Sequence, residues 1–132
     1  MTPEKEVLRA YLEANKRVQA AQTDGQIMPL AILNTLLGAA IWGDDPVREG
    51  PATLEELAGR LGITPTTLST HLRYLGDKYR SDKDGLGLVS VEEYPPNRRM
   101  KTARLTHKGR ALVDQLTYIL THIRGIVHAD TA

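Results

Sequence analysis

Between Thr53 and Leu75 the chain carries start and stop signals for two short helices joined by a turn of only a few residues. Few other structures accommodate them. Thr53-Leu54-Glu55-Glu56 is a capping box, with Thr53 and Glu56 placed to bond each other's backbone amides. Leu54, Leu57, Ala58 and Leu61 follow at helical spacing, and Gly62 supplies the left-handed residue that ends the helix. Thr64 then caps a second helix with Pro65 at its first position. Leu68, Leu72 and Leu75 give that helix an inward face, and Gly76 marks its break.

The flanking regions build a mainly α chain around this unit. Thr2 and Pro3 open an amphipathic helix carrying Val7, Leu8, Tyr11, Leu12 and Val18, expected to end near Thr23-Asp24-Gly25. A second helix, from about Pro29 to Trp42, is apolar on nearly every side and is expected in the middle of the core. Gly43-Asp44-Asp45-Pro46 stops it, and a surface loop runs on through Gly50-Pro51. After the polar stretch Ser81 to Gly85 the period changes, and Leu86 to Glu93 reads as a strand. Tyr94-Pro95-Pro96-Asn97 turns the chain, Lys101 to Leu105 reads as its partner strand, and a long helix follows from Thr106. The order is helix, helix, helix–turn–helix, β-hairpin, helix.

At 132 residues this is a single domain. With no cysteine, the chain has no disulfide framework and no thiolate metal site. The charged start, Met1 to Glu6, does not fit a signal peptide, and the apolar stretch Ile27 to Trp42 is interrupted by Asn34 and Thr35 and too short for a span. A cytoplasmic protein without a membrane role is expected. His71, His107, His122 and His128 lack the spacing of a metal site, no phosphate-binding glycine loop is present, and Ser69 has no neighbouring base. The expectation is a protein that is not an enzyme and carries no cofactor.

Charge is distributed unevenly along the chain. Residues 64–110 hold ten basic and five acidic side chains, whereas residues 1–63 hold six and nine. A basic middle between mildly acidic flanks suits a polyanion, and double-stranded DNA is the partner that a helix-turn-helix implies. With Leu68, Leu72 and Leu75 inward, the second helix turns Thr66, Ser69, Thr70 and Arg73 outward, with Thr67 beside them. Short hydroxyl side chains approach base edges closely, and arginine suits guanine or phosphate. His71 falls toward the buried edge and reads as a packing residue. Arg98, Arg99 and Lys101 sit at or beside the hairpin tip, with Arg104 further along, and a basic tip suits the minor groove. A recognition helix followed by such a hairpin is a winged helix.

Leu57-Ala58-Gly59-Arg60-Leu61-Gly62-Ile63-Thr64-Pro65, Leu68-Ser69, His71-Leu72, Leu88-Val89, Asn97-Arg98-Arg99 and Leu105-Thr106-His107-Lys108-Gly109-Arg110 together resemble the MarR family of dimeric winged-helix regulators. The resemblance runs from about Met28 to the C-terminus. It implies a homodimer held by the terminal helices (residues 1–24 and 106–132), a DNA-binding lobe over 28–105, and a pseudo-palindromic operator. It also implies transcriptional regulation, usually repression, and in many members a small-molecule effector. By position, Thr66, Thr67 and Thr70 correspond to the base-reading face and Arg99 to the wing arginine. Three features depart from the family: Asn97 where an aspartate is usual, an added segment around Lys78 to Gly85, and a long loop over Gly43 to Pro51.

The residues argue for pairing on their own. The first and last helices have more apolar surface than the small core can cover. Leu112, Leu116, Ile119, Ile123 and Ile126 approach a heptad seam. Val7, Leu8, Tyr11, Leu112, Leu116, Ile119, Leu120 and Ile123 are the expected interface between copies. Two other readings remain open, a winged helix serving phage or plasmid replication or maintenance, and one that binds another protein.

Overall fold

The computed structural model describes residues 2–22, 27–43, 51–80, 83–94 and 96–123. Helix α1 spans Pro3–Ala20, α2 Leu30–Trp42, α3 Leu54–Leu61, α4 Pro65–Leu75 and α5 His107–Thr121. Strands β1 (Lys78–Arg80) and β2 (Lys83–Asp84) form a small antiparallel hairpin, and β3 (Val89–Tyr94) with β4 (Asn97–Leu105) a larger one. The mainly helical winged helix-turn-helix read from the sequence is the fold observed.

The caps behave as their chemistry dictates. Thr2, Thr53, Thr64 and Thr106 each accept a backbone N–H with the side-chain oxygen at a helix start. The capping box closes in both directions: Glu56 N–H donates to Thr53 Oγ1 at 3.2 Å, and Thr53 N–H to Glu56 Oε1 at 3.1 Å. Those bonds from Thr53 hold the Glu56 carboxyl below its ordinary pKa. Gly62 takes φ 71°, the left-handed conformation that ends α3 without a Cβ penalty.

The core gathers Leu36 and Ala39 of α2, Leu57 and Ala58 of α3, Leu68, Leu72 and Leu75 of α4, and Leu88, Val89 and Ala103 of the larger hairpin. Only one side of α2 enters it. Leu30 and Ile41 are exposed, so the expectation of a helix buried all round holds for Thr35, Leu36, Gly38 and Ala39 alone. Helix α1 ends at Ala20 with Ala21 as its cap, earlier than expected, and residues 23–25 lie outside the described ones.

The terminal helices correct one reading. Helix α1 packs along α5, its Ala10, Ala14 and Val18 forming a buried stripe of small residues. Leu112 and Leu116 are each only 6% exposed within one chain and belong to the core. They were expected between copies. The chain's own α1 takes that seam, so these two offer almost no area to a partner. Ile119 and Ile123 are half-buried, and Val7, Leu8, Tyr11 and Leu120 are exposed. Ile126 lies outside the described residues.

The hairpins also differ from the sequence reading. The strand expected from Leu86 begins at Val89, because the chain before it closes the end of α4. Leu86 N–H donates to Tyr74 O at 2.9 Å, Leu88 N–H to Leu75 O at 2.7 Å and Gly87 N–H to Gly76 O at 2.8 Å. Those carbonyls have no acceptor duty inside the helix, and the connecting segment satisfies them. The polar stretch before it is partly the β1–β2 hairpin, clasped by Lys78 Nζ to Asp84 Oδ1 at 2.8 Å, which raises the pKa of Lys78.

Helix α5 docks on the same segment. Thr106 Oγ1 donates to Gly87 O at 2.6 Å, and Lys108 Nζ to Leu86 O at 2.8 Å. At Gly109 a Cβ would collide with the Leu88 carbonyl, so only glycine allows this approach. The Thr106-His107-Lys108-Gly109 signature is thus the hinge plate between wing and last helix.

Candidate nucleic-acid interface

Helix α4 presents Thr66, Thr67, Ser69, Thr70 and Arg73 to solvent, as the helical spacing predicts. Their hydroxyls are not equivalent. Thr67 is engaged at the helix start, with its N–H donating to Thr64 Oγ1 at 3.1 Å and its Oγ1 accepting from Thr64 Oγ1 at 3.0 Å. Thr70 Oγ1 donates to Thr66 O at 3.3 Å and faces Arg73 Nη2 at 3.4 Å. Among the described residues, the Thr66 and Ser69 side chains make no hydrogen bond, which leaves them the freest hydroxyls on this face.

His71 follows Thr70 but turns inward. Its Nδ1 lies 2.8 Å from Oγ1 of Thr35, which is 0% exposed on α2. Burial pushes the imidazole pKa below its ordinary value, because the charged form would lose water there. Sequence spacing alone placed His71 at the buried edge. Its partner was signalled only by a threonine interrupting an apolar helix.

Behind α4 the wing pairs Val89 with Leu105, Ser90 with Arg104, Val91 with Ala103, Glu92 with Thr102 and Glu93 with Lys101. The next pair is Tyr94 with Asn97, so β4 bulges through Arg98, Arg99 and Met100. Strand β4 therefore starts at Asn97 rather than Lys101, and the two arginines ride the bulge beside the turn. Asn97 Oδ1 accepts the Arg99 N–H at 3.1 Å, so the neutral amide does the local work of orienting this backbone. Arg98, Arg99 and Lys101 are exposed and, among the described residues, have no acidic partner. Arg104, by contrast, approaches Glu92 at 3.7 Å.

The wing is tied to the helix-turn-helix at its root. Thr53 bridges to Thr102, whose Oγ1 donates to Ala52 O at 2.8 Å. This explains why β4 does not alternate cleanly: Thr102 and Ala103 are both buried. The Thr102 contact was not foreseen from the sequence, since nothing in a strand pattern marks a threonine as a tie to a distant loop.

No group of histidine and carboxylate side chains able to hold a metal ion occurs among the described residues, and no helix among them is long and apolar enough to cross a membrane.

A helix-turn-helix with a bulged basic wing and flanking terminal helices is the winged-helix fold of MarR-type regulators, and solved structures of that type share it. A variant of MepR from S. aureus, solved bound to an oligodeoxyribonucleotide, superposes with a TM-score of 0.58 at 22% identity, covering 86% of this chain and 69% of that one. The transcriptional repressor CouR, solved on a 23-mer DNA duplex, gives 0.53 at 23% identity over 87% of this chain and 70% of its own. BpsR of Bordetella bronchiseptica, whose DNA binding is regulated by 6-hydroxynicotinic acid, gives 0.52 at 21% identity over 93% and 80%. At these identities the likeness establishes the fold. No family model and no curated protein matches the sequence.

Proposed function

We propose that this chain is a DNA-binding transcriptional regulator, acting as a homodimeric repressor on a pseudo-palindromic stretch of double-stranded DNA in the cytoplasm. The observation that carries the reading is the pairing of two features behind one another in the chain. One is an exposed helix face with hydroxyls free, among the described residues, at Thr66 and Ser69, and the other a wing whose Arg98, Arg99 and Lys101 have no acidic partner among them. Hydroxyls and Arg73 on α4 suit base edges and phosphates in the major groove, and arginines on a hairpin suit the minor groove. The DNA-bound forms of CouR and MepR support the same use of this fold.

Pairing of copies is supported by apolar side chains left in water on the terminal helices. Leu8 is 68% and Tyr11 58% exposed, and Val7, Leu12, Tyr118 and Leu120 are exposed with them. In this reading residues 1–24 and 106–132 hold the dimer, 28–105 read DNA, and the partner-facing set is Val7, Leu8, Tyr11, Leu120 and the outer edges of Ile119 and Ile123. BpsR lends support to a small-molecule effector as part of the same scheme.

The test is a gel shift against duplexes from around the chain's own gene at two salt concentrations, with the solution mass measured in parallel. A dimer should bind inverted half-sites about one helical turn or a small multiple apart, and binding should weaken steeply with salt. A monomer that ignores DNA at low ionic strength overturns the reading.

A further inference from the structure

Helix α4 meets the core through Leu68, Leu72 and Leu75, and such contacts are non-directional, so they choose the inward face but fix the roll only coarsely. Roll matters at the outer surface. A rotation of about 20° moves a side-chain tip there by about 2 Å, enough to break a hydrogen bond to a base edge. Backbone bonds from Leu86, Gly87 and Leu88 hold only the last turn of α4, and two directional side-chain ties add to them on one flank, three residues apart. His71 Nδ1 lies 2.8 Å from Oγ1 of Thr35 on α2, and that hydroxyl also reaches Ala31 O at 3.3 Å. One turn on, Tyr74 Oη donates to Oε1 of Gln22, just past α1, at 2.8 Å.

We infer that these two hydrogen bonds, His71–Thr35 and Tyr74–Gln22, set the roll of the recognition helix. His71, Thr35, Tyr74 and Gln22 are then positioning residues for sequence discrimination, though none faces the duplex. The two anchors come from different elements, α2 and the end of α1, so a roll in either direction strains at least one. The Tyr74 ring is backed edge-on by Tyr79 of the β1–β2 hairpin, with centroids 5.3 Å apart and planes at 83°. Nε2 of Gln22 is buried without a partner among the described residues, so the side chain's described hydrogen bonding rests on the Tyr74 tie. The added hairpin thereby gains a purpose: it holds a tyrosine against its anchor.

This inference rests on the DNA-reading function, and the experiment separates the two. The full-length chain is used to select a duplex from a randomised pool. Binding to that duplex and to a scrambled one of equal composition is then measured at one salt concentration for the parent, Tyr74→Phe, Thr35→Val and Gln22→Glu. Tyr74→Phe and Thr35→Val should each lower the selected-to-scrambled ratio by roughly five- to tenfold while scrambled binding holds to about twofold. Gln22→Glu keeps an acceptor for Tyr74 and should keep the parental ratio. If Thr35→Val does not fold, Tyr74→Phe decides. Parental ratios in the ablated variants, or equal loss on both duplexes, overturn the inference. A parent that binds neither duplex removes the functional reading and the inference with it.

Discussion

The α4–wing end and the α1–α5 end of this molecule expose opposite chemistry. At the first, the side chains left in water include a run of hydroxyls and cations, Thr66, Ser69, Arg98, Arg99 and Lys101, beside Val91, Glu92 and Glu93 on the wing, on elements stiffened by caps, a bulge and backbone ties. At the second they include large apolar groups among the charges, Leu8, Tyr11, Leu12 and Tyr118, on helices whose inner sides are already satisfied. The cationic end is stable in water and gains from meeting a polyanion, whereas the apolar end gains from meeting another apolar surface. In the proposed reading one chain carries two docking chemistries, and each should break without touching the other.

Four measurements sharpen that contrast. The largest effect is expected from Leu112→Ala, which opens a cavity between α1 and α5 and should cost about 2–5 kcal/mol in chemical denaturation. The mass of the folded variant should not change, and a clean shift to monomer without loss of stability would return Leu112 to the partner-facing set. Leu8→Glu should do the reverse. It places a charge where a second copy would bury leucine, so it should weaken self-association by tenfold or more, roughly 1.4 kcal/mol, in sedimentation while the melting temperature at low concentration holds.

Replacing Arg98 and Arg99 together by alanine should weaken binding to all duplexes by about tenfold and reduce the slope of log affinity against log salt by about 2. A change confined to particular base pairs would instead make the arginines base readers. The smallest effect is a pH dependence from His71. Its folded pKa lies below the unfolded value near 6.5, so the unfolded chain binds the proton first. Stability from keeping it neutral is complete above about pH 6.5 and declines as pH falls below that. A parent and His71→Asn pair with identical pH–stability curves would show that another group titrates.

The elements most legible in the sequence were those with local punctuation. Thr53 to Glu56, Gly62 and Thr64-Pro65 name helix boundaries because a cap bonds backbone within the same turn. The exposed face of α4 followed from periodicity alone. The wing was found, but its register was not. Three residues bulged at Arg98 to Met100 leave no mark in a pattern of alternation. Leu112 and Leu116 show a different failure: a stripe at heptad spacing states that something packs there, without stating whether that something is the same chain or a copy.

What the amino-acid order determined, then, was every feature closed by neighbours a few residues apart: the caps, the left-handed glycine, the amphipathic faces and the basic middle of the chain. Only the tertiary structure decided which surfaces were spent internally. Ala10, Ala14 and Val18 take up the leucines of α5, Gly109 meets the backbone of Leu88, Thr102 reaches Ala52, and Thr35 and Gln22 find His71 and Tyr74. Such contacts join residues about 20 to 100 positions apart, and the free energy that selects them depends on the whole packed arrangement rather than on any local spacing.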